Sequence, residues 1–205
     1  MNYMANLSRL KLIRRNGSER FHAGGHVLGF DLLDFWQWSV SDLMSNATRG
    51  RLAEYIAARA LNLPTTGVRN EWAAFELQTA EGTKVEVKSA AYIQSWHQNA
   101  LSRISFEVPK TKPWDPDTNR QGQEASRQAD VYVFALLAHQ DKATVDPLDL
   151  SQWQFFVVPT KKLNDRTRSQ HSITVKSLQA LAEGPLGFHS LADAVRQAAE
   201  TQDHG

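Results

Sequence analysis

Segment 72–90 constrains the fold more than any other part of the chain. Two runs rich in strand-forming residues, 72–79 and 83–90, flank Ala80-Glu81-Gly82, a three-residue loop with glycine third. That position needs a left-handed backbone in a type I turn followed by a G1 bulge, so the segment reads as an antiparallel hairpin. With this loop Thr79 faces Thr83, Leu77 faces Val85 and Phe75 faces Val87. Alternation then puts Phe75, Leu77, Val85 and Val87 on one apolar face. On the other, Gln78 meets Lys84, and Glu76 lies across from Glu86 with Lys88 two residues on.

Opposed carboxylates on a ladder repel, by some tenths to about 1 kcal/mol. Folding alone gains nothing from that arrangement. A divalent cation reverses its sign, because Mg²⁺ takes one or two carboxylates together with waters and phosphate oxygens. Lys88, on the same face, is placed to hold or help deprotonate an attacking water, whose pKa the ion would lower.

The rest of the chain supplies a setting for this hairpin. Residues 1–29 are polar and basic, include Gly24-Gly25, and are expected to form a loosely ordered extension; residues 30–205 form the domain. From Asp34 the text turns helical: Ser41 is a plausible cap, and apolar periodicity runs through Leu43, Leu52, Ile56 and Leu63, with Gly50 a candidate break. Further strands are expected at 104–108, 130–138, 153–158 and 172–175. A proline-rich loop should cover 109–122, with a short helix at 123–128 and helices from about Ser177 and after Ser190. The order implies a single mixed α/β domain with a small central sheet flanked by helices.

Composition sets outer limits. The chain has no cysteine, which rules out disulfides and thiolate metal sites and suits a reducing cytoplasm. No apolar run approaches a membrane span, and the basic opening lacks the apolar core of a secretory signal. The net charge of +1 means that any polyanion contact must come from local charge, not from overall basicity.

Glu86-Val87-Lys88-Ser89, on a valine-rich strand, resembles the E-x-K half of the PD-(D/E)xK motif of restriction endonuclease-like and Holliday-junction-resolvase-like nucleases. Phe75-Glu76-Leu77 stands where that superfamily places its first acidic residue, usually Asp. Residues 49–54 look like its preceding helix, and 130–134 and 153–159 look like its later core strands. The likeness covers roughly residues 36–160. It implies a restriction endonuclease-like α/β fold and metal-dependent hydrolysis of phosphodiester bonds, in DNA rather than RNA. Glu76, Glu86, the Val87 carbonyl and Glu54 would hold Mg²⁺ or Mn²⁺, Lys88 would act on the nucleophile, and the active form is frequently a homodimer. The alternative is a non-catalytic nucleic-acid-binding or assembly module on a nuclease-like fold.

Each residue also has a plainer reading. Glu86 and Lys88 form a solvated charge pair on a strand, Glu71 rivals Glu76, and Glu54 pairs with Arg51 along a helix. Arg49 and Arg51 either grip phosphate or are surface charges. Gln94, with Tyr92 and Trp96 nearby, either positions nucleotides or packs. Lys161 and Lys162, with Arg166 and Arg168, form a basic loop that contacts nucleic acid or is merely solvated. The seven histidines show no metal-ligand spacing.

Overall fold

The computed structural model describes residues 7–182 and 184–203. Residues 1–6 of the extension and 204–205 at the end of the domain lie outside this range. In chain order the elements are β1 (Arg20–Ala23), β2 (His26–Asp31), α1 (Leu32–Val40), α2 (Asn46–Ala60), β3 (Leu77–Gln78), β4 (Lys84–Ala91) and β5 (Ser105–Glu107). There follow β6 (Trp114–Asp115), β7 (Arg120–Gln121), β8 (Val131–Leu137), β9 (Trp153–Pro159), α3 (Thr160–Asn164), β10 (Ser172–Thr174), α4 (Val175–Leu181) and α5 (Leu191–Asp203). The fold is mixed α/β.

The central sheet has the order β3-β4-β8-β9. β3 runs antiparallel to β4, β4 parallel to β8, and β8 antiparallel to β9. β8 (VYVFALL) is buried along its whole length, as a continuous apolar run predicts for a strand covered on both faces. Its alternate side chains feed two cores. Val131, Val133, Ala135 and Leu137 join Val85, Val87, α2 and α5 in one. Tyr132, Phe134 and Leu136 join Phe106, Phe156, Leu163, Ile173 and Leu178 in the other.

The hairpin loop forms as its glycine requires. Gly82 has φ +95, its N–H donates to the Thr79 carbonyl at 3.0 Å, and Leu77 pairs with Val85. The ladder is shorter than expected, however. β3 has only two residues, and beyond them the Glu76 N–H donates to the Val85 carbonyl. Phe75 therefore leaves the face of Leu77 and packs against the second core, under the Lys84 ammonium.

The helices differ from the expected pattern in their limits. Ser41 ends α1, and α2 is capped instead by Ser45, whose hydroxyl accepts from the Thr48 N–H. Gly50 does not break α2. A mid-helix glycine costs about 1 kcal/mol, and docking of Arg49, Ala53, Ile56 and Ala57 against the sheet offsets it. Asn62, in the left-handed region, closes the helix with Leu63 N–H donating to the Ala58 carbonyl. Segment 123–128 is not a helix. It runs extended, with Thr111 bridged to Ser126, because the Arg127 guanidinium is buried against the Val108 and Gln170 carbonyls and Asn164.

The extension is more regular than its composition suggests. Residues 20–31 form the β1–β2 hairpin, turned by Gly24 and Gly25 at positive φ, with Phe21 and Phe30 rings 4.8 Å apart. α1 follows behind the reciprocal Asp31/Asp34 capping box and buries none of its residues. Phe35 and Trp38 are exposed. Among the described residues no helix is long and apolar enough to cross a membrane.

Candidate active site

β4 is the strand from which the site is built. Val85 and Val87 are buried toward α2, so alternation sends Glu86 and Lys88 to the opposite face. β3 pairs only with Lys84 and Val85, which leaves β4 from Glu86 onward at the edge of the sheet. Lys88 Nζ lies 2.7 Å from Glu86 Oε1. Behind Glu86, its register partner on β8 is Tyr132. Burial, and next the Glu86 charge, push that phenol's pKa up to about 12.

Two further carboxylates approach the same edge. Glu76 comes from the residue before β3, and Glu54 from the α2 side of the sheet. Burial raises the Glu76 pKa to about 7, and the charges of Glu54 and Glu86 add to that rise. The three carboxylates thus share one partly desolvated neighbourhood. Glu76 is not a ladder partner of Glu86, because the ladder ends at Leu77 and the Glu76 N–H meets the Val85 carbonyl instead.

Arg69 joins this cluster from the loop between α2 and β3. Its Nε and Nη2 fork onto both oxygens of Glu54, with Nη2 to Oε1 at 2.9 Å. Nη2 also reaches Glu76 Oε2 at 2.8 Å, and Nη1 reaches Glu71 Oε2 at 2.5 Å. The Glu54 hydrogen bond, foremost, raises the arginine's pKa still further, with burial acting against it. A cleft of about 410 Å³ opens beside these groups, lined by Arg51, Glu54, Tyr55, Arg69, Asn70 and Glu76.

As posed, no three acidic or histidine side chains among the described residues close on one point. Arg69 and Lys88 hold the oxygens that would have to turn inward. The donor chemistry nevertheless fits a hard divalent cation. Glu54 and Glu86 both act on Glu76, whose pKa is raised first by burial and next by these two charges, and carboxylate oxygens are the donors such an ion takes.

The remaining sequence candidates fall elsewhere. Arg49 is 4% exposed and points inward from α2. It donates to Ser89 Oγ, the Met44 carbonyl, Asn46 Oδ1 and Gln94 Oε1. Burial lowers its pKa, and the Asp42 charge works in the other direction. Gln94 is buried too, donating to the Ala91 carbonyl and Ser102 Oγ. Both tie α2 to the end of β4 and so fix Glu54 relative to Lys88. Arg51 stays exposed, 3.9 Å from Glu71. Val87 turns its side chain into the core beneath the site. Lys161 and Lys162 lie on α3 beside β9, the opposite edge of the sheet from β3. Lys162 borders a basic cavity of about 830 Å³ with Arg166, Arg168 and Lys176.

Two site residues had no usable sequence signal. Arg69 is one arginine in an irregular loop, with no spacing that links it to Glu54. Tyr132 could have been placed only from the parallel β4–β8 register.

The family model described as bacteriophage T4 endonuclease IV matches residues 33–176. That span contains all but the first residue of α1, the whole of α2 and the central sheet, and every carboxylate of the cluster. No curated protein matches the chain.

Proposed function

The chain belongs to the bacteriophage T4 endonuclease IV family, and from that premise we propose that it is a metal-dependent endonuclease that hydrolyses phosphodiester bonds in DNA. The observation that carries this reading is the Glu86–Lys88 pair on the open edge of β4, with Glu76 and Glu54 brought to the same place. We read the sheet and its α2 backing as restriction endonuclease-like on the same grounds, and Mg²⁺ or Mn²⁺ as the ion.

Glu76 and Glu86 would hold the ion, with Glu54 and the Val87 carbonyl completing its oxygen set. When bound, the ion lowers the pKa of a water and offsets negative charge that develops on the phosphoryl oxygens. The residues of the chain do the rest. Lys88, whose ammonium already lies at the Glu86 carboxylate, orients the attacking water by hydrogen bonding and stabilises its deprotonated form. Tyr132 and the apolar wall behind it exclude bulk water from one side of Glu86. Arg51 stands at the cleft mouth, where it can meet a phosphate. A homodimer would place two such sites on two strands.

The test is cleavage of single-stranded, duplex and branched DNA by the purified chain with Mg²⁺ or Mn²⁺, repeated with EDTA and with RNA. Cutting that EDTA stops is expected. Lys88→Ala should lose cleavage and keep metal-induced thermal stabilisation, whereas Glu86→Ala should lose both. A wild type that melts identically with and without metal, and cuts none of these substrates, leaves the non-catalytic binding module as the reading.

A further inference from the structure

We propose that Arg69 is an internal counter-ion that competes with the divalent cation for Glu54, and that its release delivers the guanidinium to the phosphodiester backbone. This rests on the metal reading above. Arg69 holds both oxygens of Glu54 and one of Glu76. A divalent cation drawn to the same carboxylates competes with the guanidinium for both oxygens of Glu54 and for one of Glu76, and the two cations repel. Glu86 is outside this grip; it faces Lys88. The ion therefore has Glu86 and the second oxygen of Glu76 within reach at once and gains Glu54 as Arg69 leaves.

The loop that carries Arg69 is built to let it leave. Residues 63–76 form no helix or strand. The loop begins after Asn62, whose φ is 55, and re-enters regular structure at β3. Apart from Arg69, its ties to distant parts of the chain include two hydrogen bonds from the N-terminal extension. Arg14 Nη1 donates to the Thr66 carbonyl at 2.9 Å, and Arg9 Nη2 to Asn70 Oδ1 at 3.1 Å. Trp72 also rests edge-on against Trp114, 5.4 Å away. Once Arg69 is free, Glu71 still has Arg51 at 3.9 Å, so the loop gives up its grip without stranding that carboxylate.

The freed fork of N–H groups matches a phosphate as well as it matched Glu54. Metal and DNA then assist one another. A bound ion would weaken the hold of Glu54 on the arginine that the backbone phosphate captures, and by reciprocity DNA would strengthen metal binding to the same degree. Arg69 is in this sense a positioning residue in the absence of DNA and a substrate-binding residue in its presence.

Calorimetric titration of Mn²⁺ into the full chain without DNA tests this directly, comparing wild type, Arg69→Ala and Glu86→Ala. Arg69→Ala is expected to bind Mn²⁺ about tenfold more tightly than wild type, equivalent to about 1.4 kcal/mol. A merely structural arginine would give the opposite sign. A non-cleavable phosphorothioate oligonucleotide should tighten Mn²⁺ binding to wild type by a larger factor than to Arg69→Ala. Equal or weaker binding to Arg69→Ala, with wild type binding and Glu86→Ala not, overturns the counter-ion and leaves the nuclease site standing. No Mn²⁺ uptake by either wild type or Arg69→Ala overturns both readings. Should Arg69→Ala fail to fold, amide exchange of residues 63–72 in wild type decides. Faster exchange with Mn²⁺ supports displacement, and unchanged or slower exchange refutes it.

Discussion

Replacing Arg49 with methionine should destabilise the fold and leave the electrostatics of nucleic-acid binding untouched. The guanidinium makes three well-formed hydrogen bonds, at 3.2 Å to Ser89 Oγ, 2.8 Å to the Met44 carbonyl and 2.7 Å to Asn46 Oδ1, and a longer one of 3.4 Å to Gln94. Hydrogen bonds from a charged donor contribute about 1.5–3 kcal/mol each, so the three good ones together supply about 4–9 kcal/mol. Against this stands the cost of a buried charge that no carboxylate touches, which is several kcal/mol. The difference, with methionine filling most of the volume, comes to about 3 kcal/mol. For a urea m-value of about 2 kcal/mol/M that lowers the unfolding midpoint by about 1.5 M, read from tryptophan fluorescence. The companion measurement is the slope of log K against log salt for a DNA oligonucleotide. Loss of one phosphate contact would reduce it by about 0.7 to 0.9; for Arg49→Met it should not change. A variant of wild-type stability with a reduced slope would refute the structural role and return Arg49 to the substrate.

Other substitutions probe the scaffold. Phe134→Ala removes a fully buried ring between Phe106 and Tyr132, and should cost about 4 kcal/mol in the same urea assay. Gly82→Ala has nothing within 4 Å of the added methyl, so only its positive φ is penalised, by about 1 kcal/mol. Trp38→Ser, at a side chain 84% exposed, should change the urea midpoint by less than the equivalent of about 0.5 kcal/mol.

The hairpin was legible because a single glycine in a three-residue loop fixes the register, and Leu77 does face Val85. Its length was not. Nothing local tells the chain to stop pairing at Leu77, and the irregular step there takes Glu76 out of the ladder and Phe75 to the other core. β8 was readable as an unbroken apolar run, and β9 as a largely apolar one stopped by Pro159. The parallel alignment of β4 with β8 was not, because the connection between them contains β5, β6 and β7 and no helix to announce a crossover. The site divides in the same way. Glu86 and Lys88 follow from strand alternation, whereas Arg69 reaches Glu54 and Glu76 only through a loop whose path no periodicity describes. Arg49 was misplaced for a general reason: an arginine is expected outside unless its partners are known, and those partners come from Ser89 and Gln94, 40 and 45 residues away.

The two edges of the central sheet are defended differently. On the β9 side, Phe155 and Leu186 exchange main-chain hydrogen bonds, so a stray strand finds that ladder partly taken. On the β4 side the cover ends at Val85, and the open stretch begins with Glu86 and Lys88. Charges on an open edge deter another chain from zipping onto it. By the same rule a variant neutralised at both positions would lose that deterrent and should associate more readily than the wild type, sticky as well as silent.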